Sequence, residues 1–410
     1  MGRARYGYLL DDVDVRRWFD NVARGSRVTA DVYLRRLGSF CEHFNVSPKQ
    51  LIALGESELY NLLLLLDYVS YLEGCGCAGS YIESALKAVK SWLAHNGVEI
   101  RRKIRIRGAQ ETPSLKDERV PTQDELRCIF LSADKKARVA CVLVAHSGLR
   151  LMTLGNYTGS DGLRVRDFPE MMVEGGKVVF DRVPTMVVVR AELSKARHKY
   201  FTFLSEEGCD YLRDYLEERI QRGEKITPES PIIKPKVAPK PFIRTVNIGD
   251  VIREAIRSAG FNWRPYVLRA YFDTQLLLAE SKGLVLRDYR QFWMGHKGDI
   301  EARYTTNKCR LPDDVIEDMR KAYRRSQEYL QTTRVSLGGE KILLELRRQL
   351  LLVAGFTSEE IDKMDISSLS DEDFQEIIRK RLLCEQGDCG KQRSSPLTRL
   401  TNTSQRDGSM

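Results

Sequence analysis

The chain has 410 residues, 42% of them hydrophobic and 30% charged, so it is neither an intrinsically disordered chain nor a single small domain. We expect two or three domains. Lys and Arg number 66 against 57 Asp and Glu, a formal charge of +9. This excess favours a polyanionic partner, nucleic acid before a membrane. The sequence has neither a signal-peptide pattern nor an apolar run long enough to cross a bilayer, which predicts an intracellular protein.

Nine cysteines, an odd number, argue against a secreted disulfide framework. Two pairs could be considered as zinc ligands, Cys75 with Cys77 and Cys384 with Cys389. Neither pair has the Cys-x2-Cys spacing of common zinc modules, and no His lies near the second pair. We therefore expect reduced, mostly buried thiols, no metal site and no cofactor.

The first part of the chain, residues 1–100, is predicted to be a small all-α domain. Apolar residues recur at helical spacing over 28–44, 56–72 and 81–95, and no strand pattern interrupts them. Ser47 and Pro48 are typical of a helix start, and Gly74 and Gly76 of a helix end. About four helices are expected here.

A basic linker is predicted over 101–120. Its second half is polar and interrupted by prolines. Its first seven residues contain five cations: Arg101, Arg102, Lys103, Arg105 and Arg107. Two interpretations stay open for these cations, a solvated linker and a grip on a phosphate backbone.

A second domain is predicted over 121–332, mainly helical with a small antiparallel sheet, so the fold class is α+β. Helices are expected at 123–131, 136–147, 206–221, 248–259, 268–280, 288–294 and 312–331, and strands at 177–180, 187–192 and 198–204. A β-turn at 194–197 joins the last two strands.

A C-terminal helical segment is predicted over 333–385, followed by a disordered tail over 386–410. Its Leu-rich part, 339–383, suits either a contact between protomers or a helical cap on the second domain. Both interpretations of this segment stay open.

Five short motifs of the second domain carry residue types suited to phosphate chemistry, although each alone has an ordinary structural explanation. In chain order they contain Arg150 in His146-Ser-Gly-Leu-Arg150, Lys195 at the predicted turn, Tyr266 and Arg269 in Tyr266-Val-Leu-Arg269, His296 after Gly295, and Tyr304. In this order and spacing they resemble the tyrosine recombinase (phage integrase) family, most closely its archaeal virus and plasmid members. Asp161-Gly-Leu-Arg164 also resembles the sequences of these members. The resemblance covers roughly residues 115–330, and the first domain resembles the family's core-binding domain in kind only.

Exchange of a phosphodiester without a metal needs charge stabilisation on the phosphate oxygens, a nucleophile and an acid for the leaving oxygen. The planar, permanently charged forks of Arg150 and Arg269 suit the first task, and His296 would add a third donor. The resemblance implies that Lys195 protonates the departing 5′ oxygen and that Tyr304 forms a 3′-phosphotyrosyl link. The link keeps the energy of the broken bond, so no ATP is needed.

One position departs from the family pattern, because Tyr266 stands where His is usual. A phenol can donate a hydrogen bond to phosphate but is no base at neutral pH. Alternatively, Tyr266 only packs beside Pro265.

Other residues compete for some of these roles. Lys199 or Arg197 could replace Lys195, but both lie further into the second strand. His198 is expected to be exposed or to face DNA at the strand edge, and Arg197 and His198 join the five linker cations as candidate DNA contacts. The polar residues after Tyr304 predict an exposed segment, whereas three other tyrosines are expected in the core: Tyr271, Tyr289 and Tyr323.

The resemblance implies a site-specific DNA recombinase of a mobile element, acting on double-stranded attachment sites in the cytoplasm, at the host nucleoid. Four protomers would assemble on two synapsed sites, with a monomer or dimer when free and no membrane contact. Two rivals remain, a type IB topoisomerase-like enzyme and an inert DNA-binding protein. A metal-dependent nuclease is disfavoured, because helix capping and solvation explain the acidic clusters at 11–14 and 371–373.

Overall fold

The computed structural model describes residues 5–53, 58–110, 117–236, 240–298, 300, 304, 311–333, 339–357, 360–361, 364 and 371–388. Within these ranges the side chains of 58–62, 339–345, 371–372 and 382–388 are not described. Helices dominate, and the described strands form two separate two-stranded antiparallel sheets. The mainly helical α+β class is confirmed, with two small sheets where one was predicted. No helix of the described residues is long and apolar enough to cross a membrane.

The N-terminal helices pack around one aromatic core. They are α1 (Val13–Gly25), α2 (Arg27–Phe44), α3 (Pro48–Ala53), α4 (Glu58–Gly74) and α5 (Gly79–His95). Trp18 of α1 and Trp92 of α5 meet edge to face with ring centroids 5.5 Å apart. The N-terminus of α1 is capped by Asp12, and that of α2 by Ser26. Ile104 and Ile106 pack against this core, so the start of the predicted linker lies on the N-terminal helices.

A second, larger core lies between residues 126 and 330. Its helices are α6 (Gln123–Ser132), α7 (Lys135–Ser147), the single turn α8 (Leu151–Leu154), α9 (Glu206–Gln221), α10 (Thr245–Ser258), α11 (Tyr266–Ser281), α12 (Arg287–Trp293) and α13 (Asp313–Leu330). Helix α7 is buried on nearly every side, and α9, α10 and α11 pack around it.

The strands are β1 (Met171–Glu174), β2 (Lys177–Phe180), β3 (Thr185–Val189) and β4 (Tyr200–Leu204). Strand β1, which the sequence did not predict, pairs with β2, and β3 pairs with β4 from Thr185 with Leu204 to Val189 with Tyr200. The predicted strands 187–192 and 198–204 were wrong where they meet the connection between them: the first ends at Val189 and the second begins at Tyr200. The chain leaves β3 at Arg190, where a 3₁₀ turn, Ala191–Leu193, takes over.

The C-terminal segment contains α14 (Gly339–Val353) and α15 (Asp371–Asp388). Leu351, Ile361 and Phe374 form a small core of their own. Helix α15 continues three residues past the predicted start of the tail. Residues 389–410, including Cys389, lie outside the described residues.

Candidate active site

Arg150 reaches the site through a tight helix end. Helix α7 ends at Ser147, and Gly148 follows in the left-handed region with φ of 63°. A Cβ at Gly148 would lie 2.5 Å from the ring of Phe272, so both the backbone angle and the space require glycine. The next turn sets Arg150 at the start of α8, half-buried beside α11.

Arg150 and Arg269 converge on a single backbone carbonyl. Arg269, in the first turn of α11, donates to the oxygens of Gly148 and Met294, both at 2.6 Å. Arg150 donates to the same Met294 oxygen at 3.3 Å. Met294 directly follows the last residue of α12, and a carbonyl at a helix C-terminus carries partial negative charge that attracts cations.

No carboxylate of the described residues forms an ion pair with either guanidinium of this pair. Other buried arginines of the domain are neutralised, Arg320 by Glu170 and Arg219 by Glu224. Arg269 is only 8% exposed, and its burial together with the nearby charge of Arg150 lowers its pKa to about 10. Two adjacent positive charges held by neutral carbonyls form a site that an external anion would complete.

His296 lies at the mouth of this site and is solvent-exposed. Partial burial of its ring, and then the positive charges of Arg269 and Arg150, lower its pKa. The imidazole is therefore neutral at neutral pH and can donate one N–H to an anion held by the two arginines.

Lys195 is exposed in the turn between β3 and β4, at the predicted tip. The start of this connection is fixed from behind, because Thr153 Oγ donates to the oxygen of Leu193 at 3.2 Å and Arg190 binds Asp161 and Asp167. The lysine therefore extends from an anchored base. Its two competitors differ: Lys199 is half-buried, and exposed Arg197 donates to the oxygen of Gly25 at 3.1 Å.

Tyr304 is only 4% exposed, although the sequence predicted an exposed segment around it. Its ring meets Phe201 and Phe292 edge to face, with centroids 5.9 and 5.5 Å apart. Residues 305–310 lie outside the described residues. Tyr266, by contrast, is 70% exposed at the first position of α11, one turn before Arg269.

The remaining candidates divide by burial. Tyr271 and Tyr323 are fully buried, as expected of core residues, and Tyr289 is half-buried with its hydroxyl on Asp318. His198 is buried at 7% exposure, so the expectation of an exposed strand-edge residue was wrong. It lies before β4 rather than in it, and its ring lies 5.8 Å from that of Tyr200.

The basic run alternates in its exposure. Ile104 and Ile106 face the N-terminal core, whereas its cations are exposed: Arg101, Arg102, Lys103, Arg105 and Arg107. Lys103 and Arg105 line a groove of about 500 Å³ with Lys87 and Lys90 of α5 and with Glu83, which forms an ion pair with Lys87 at 3.0 Å. This groove is a surface on which a phosphate backbone could lie.

Sequence reasoning missed Tyr200, the first residue of β4. Its side chain is 1% exposed and packs against Gly295, directly before His296. Its position five residues after Lys195 was visible, but an aromatic residue in a strand is ordinarily read as core. No group of three or more potential metal ligands occurs among the described residues.

No protein-family model and no curated protein sequence matches the chain. The XerA recombinase structure is 18% identical, with 76% of this chain and 98% of that chain covered at a TM-score of 0.33. The integrase of mycobacterium phage Brujita is 18% identical (79% and 94% covered, TM-score 0.35). A lambda integrase (75–356) dimer bound to a COC′ core site is 13% identical (61% and 81%, 0.35). Identities and TM-scores this low do not establish a function. The function is therefore inferred from the geometry of the site.

Proposed function

We propose that this chain is a site-specific DNA recombinase that cleaves and rejoins duplex DNA through a 3′-phosphotyrosyl intermediate. The observation that carries the proposal is the pair formed by Arg150 and Arg269, which share the Met294 carbonyl and have no carboxylate partner among the described residues. Two guanidinium forks beside a neutral imidazole match a phosphodiester, whose two non-bridging oxygens share one negative charge.

The chemistry follows from the residue types. The phenol oxygen of Tyr304 attacks phosphorus and releases its proton to water, while the bond to the 5′ oxygen breaks and that oxygen takes a proton from Lys195. Arg150, Arg269 and His296 stabilise the charge that develops on the non-bridging oxygens. A second 5′ hydroxyl reverses these steps, so neither a metal nor ATP is required in this scheme.

The burial of Tyr304 adds a condition to this scheme. At 4% exposure the phenol cannot reach a phosphate at the protein surface, so attack requires its ring to leave the contacts with Phe201 and Phe292. In the proposal, DNA in the site favours this rearranged form, which makes cleavage depend on occupancy.

We further propose double-stranded attachment sites as the partner, gripped by the exposed cations of the basic run and assembled with four protomers on two sites. The target would be a mobile element. Phosphate contacts of this kind supply affinity, and base contacts with DNA shape supply sequence choice.

The test is a covalent-adduct assay in EDTA on supercoiled plasmid carrying the DNA that flanks the gene, resolved on a denaturing gel. Wild-type protein should form an adduct that Tyr304→Phe does not. Tyr8→Phe is the matched control, because Tyr8 is 62% exposed and lies on the N-terminal helical part. An adduct that persists in Tyr304→Phe would assign the nucleophile to another tyrosine.

The buried Tyr304 also favours a second candidate function, a DNA-binding protein without cleavage. It predicts specific binding to the same DNA and no adduct with any variant. A topoisomerase-like enzyme would form the adduct on any plasmid, so a plasmid without the flanking DNA separates it from a recombinase.

A further inference from the structure

The hydroxyl of Tyr200 is buried and makes no hydrogen bond of normal geometry within the described part of the chain, although the side chains of Arg269 and Thr153 lie near enough to lower its pKa. The residue is only 1% exposed. Buried hydroxyls are normally hydrogen-bonded, and an unpaired one lowers stability. A purely structural tyrosine at this position would be improved by phenylalanine.

The ring of Tyr200 is fitted to the backbone that carries the site. A Cβ on Gly295 would lie 2.6 Å from two carbons of the ring and 3.0 Å from the hydroxyl oxygen. Gly295, with φ of 62°, directly follows Met294, whose carbonyl receives both arginines. The phenol therefore lies beneath the turn that connects the arginine pair to His296.

The electrostatics of Tyr200 point to the same pair. Burial raises the pKa of Tyr200, and the positive charges of Arg269 and Arg150, together with weak hydrogen bonding to Thr153 and Arg269, act in the opposite direction. The group is consequently a neutral phenol, and its oxygen can accept a hydrogen bond from either guanidinium. It is thus an acceptor placed beside donors that already bind two carbonyls.

We propose that Tyr200 is a positioning residue for the arginine pair. When a phosphodiester binds and draws the guanidinium groups towards it, the hydroxyl accepts a hydrogen bond from Arg269 and fixes the orientation of the fork. The inference rests on the proposed function. It explains why a hydroxyl without a well-formed hydrogen bond is kept in a packed region, since the bond from Arg269 reaches normal geometry only when the phosphodiester is bound.

The test compares Tyr200→Phe with wild type in three measurements: the rate of adduct formation at saturating protein, the affinity for the flanking DNA, and the melting temperature. Loss of a hydrogen bond to a charged group predicts a rate about 10- to 100-fold lower. The DNA affinity should be unchanged, and the melting temperature unchanged or higher.

Tyr271→Phe is the matched control. Tyr271 is also fully buried on α11, but its hydroxyl donates to the oxygens of Tyr329 and Leu330 at 3.1 and 3.0 Å. Its removal should lower the melting temperature and leave the rate per folded molecule at the wild-type value, measured well below the transition.

A wild-type rate in Tyr200→Phe would overturn the proposal, and so would a slower rate accompanied by a lower melting temperature, which indicates a structural role. A wild-type protein that binds the flanking DNA but forms no adduct contradicts the proposed function itself, and the Tyr200 assignment then fails with it.

Discussion

Two arginine clusters of the chain differ in what neutralises their charge. Arg190 and Arg164 share Asp161, and Asp167 adds a second carboxylate to Arg190 at 3.1 Å. Arg150 and Arg269 share only the Met294 carbonyl. The first cluster is neutralised within the chain and holds the β3–β4 connection in place, whereas in our proposal an external phosphate completes the second. Charge balance, more than burial, therefore separates a structural arginine from a site arginine here.

The largest expected effect falls on a neutralised arginine. Arg320→Gln should lower the free energy of unfolding by about 3–5 kcal/mol, because Arg320 is 2% exposed and its loss leaves Glu170 without its cation. Denaturant unfolding measures this loss, and the cleavage rate per folded molecule should stay at the wild-type value. An unchanged stability would contradict the view that a buried arginine neutralised by a carboxylate has a structural role.

Arg269→Gln should show the opposite pattern. The amide can still donate to one of the two carbonyls, and loss of the charge relieves repulsion from Arg150, so the unfolding free energy should change little. Adduct formation should fall about 10²- to 10³-fold, the effect of removing one donor to a developing oxyanion. Arg253→Gln, at a half-buried arginine paired with Asp250, is the control. Wild-type cleavage in Arg269→Gln would place the site elsewhere.

A smaller effect should appear in the pH dependence of stability. Hydrogen bonds from Arg190 and Arg164 hold the pKa of Asp161 at about 2 despite partial burial, below its ordinary 3.8. The folded state therefore binds the proton less well than the unfolded chain. The stability contribution is present above pH 4 and is lost as the pH falls towards 2. It is worth roughly 2 kcal/mol.

Denaturant unfolding of wild type and Asp161→Asn between pH 5 and pH 3 measures this contribution. Wild type should be more stable at pH 5, and the difference should shrink as the pH falls. A difference that stays constant would mean that the carboxylate is not coupled to the two arginines.

Local patterns predicted most of the helices, and tertiary contacts explain most of what they missed. Helix α9 was predicted at its observed bounds because Ser205 caps it and its apolar spacing is regular. Arg190 was placed in a strand because its carboxylate partners are 23 and 29 residues away in sequence. Contacts between residues far apart in the sequence likewise place Tyr304 against Phe201 and Tyr200 against Gly295. A local sequence pattern contains no information about such contacts.

The most direct test of the central claim identifies the residue that carries the DNA. The adduct formed in EDTA is trimmed with nuclease, digested with trypsin and analysed by mass spectrometry. The sequence places Arg303 before Tyr304 and Lys308 four residues after it, so the nucleotide remnant should appear on the peptide 304–308, or on 298–308 where cleavage beside the modified residue fails. A remnant on any other tyrosine peptide would contradict the account.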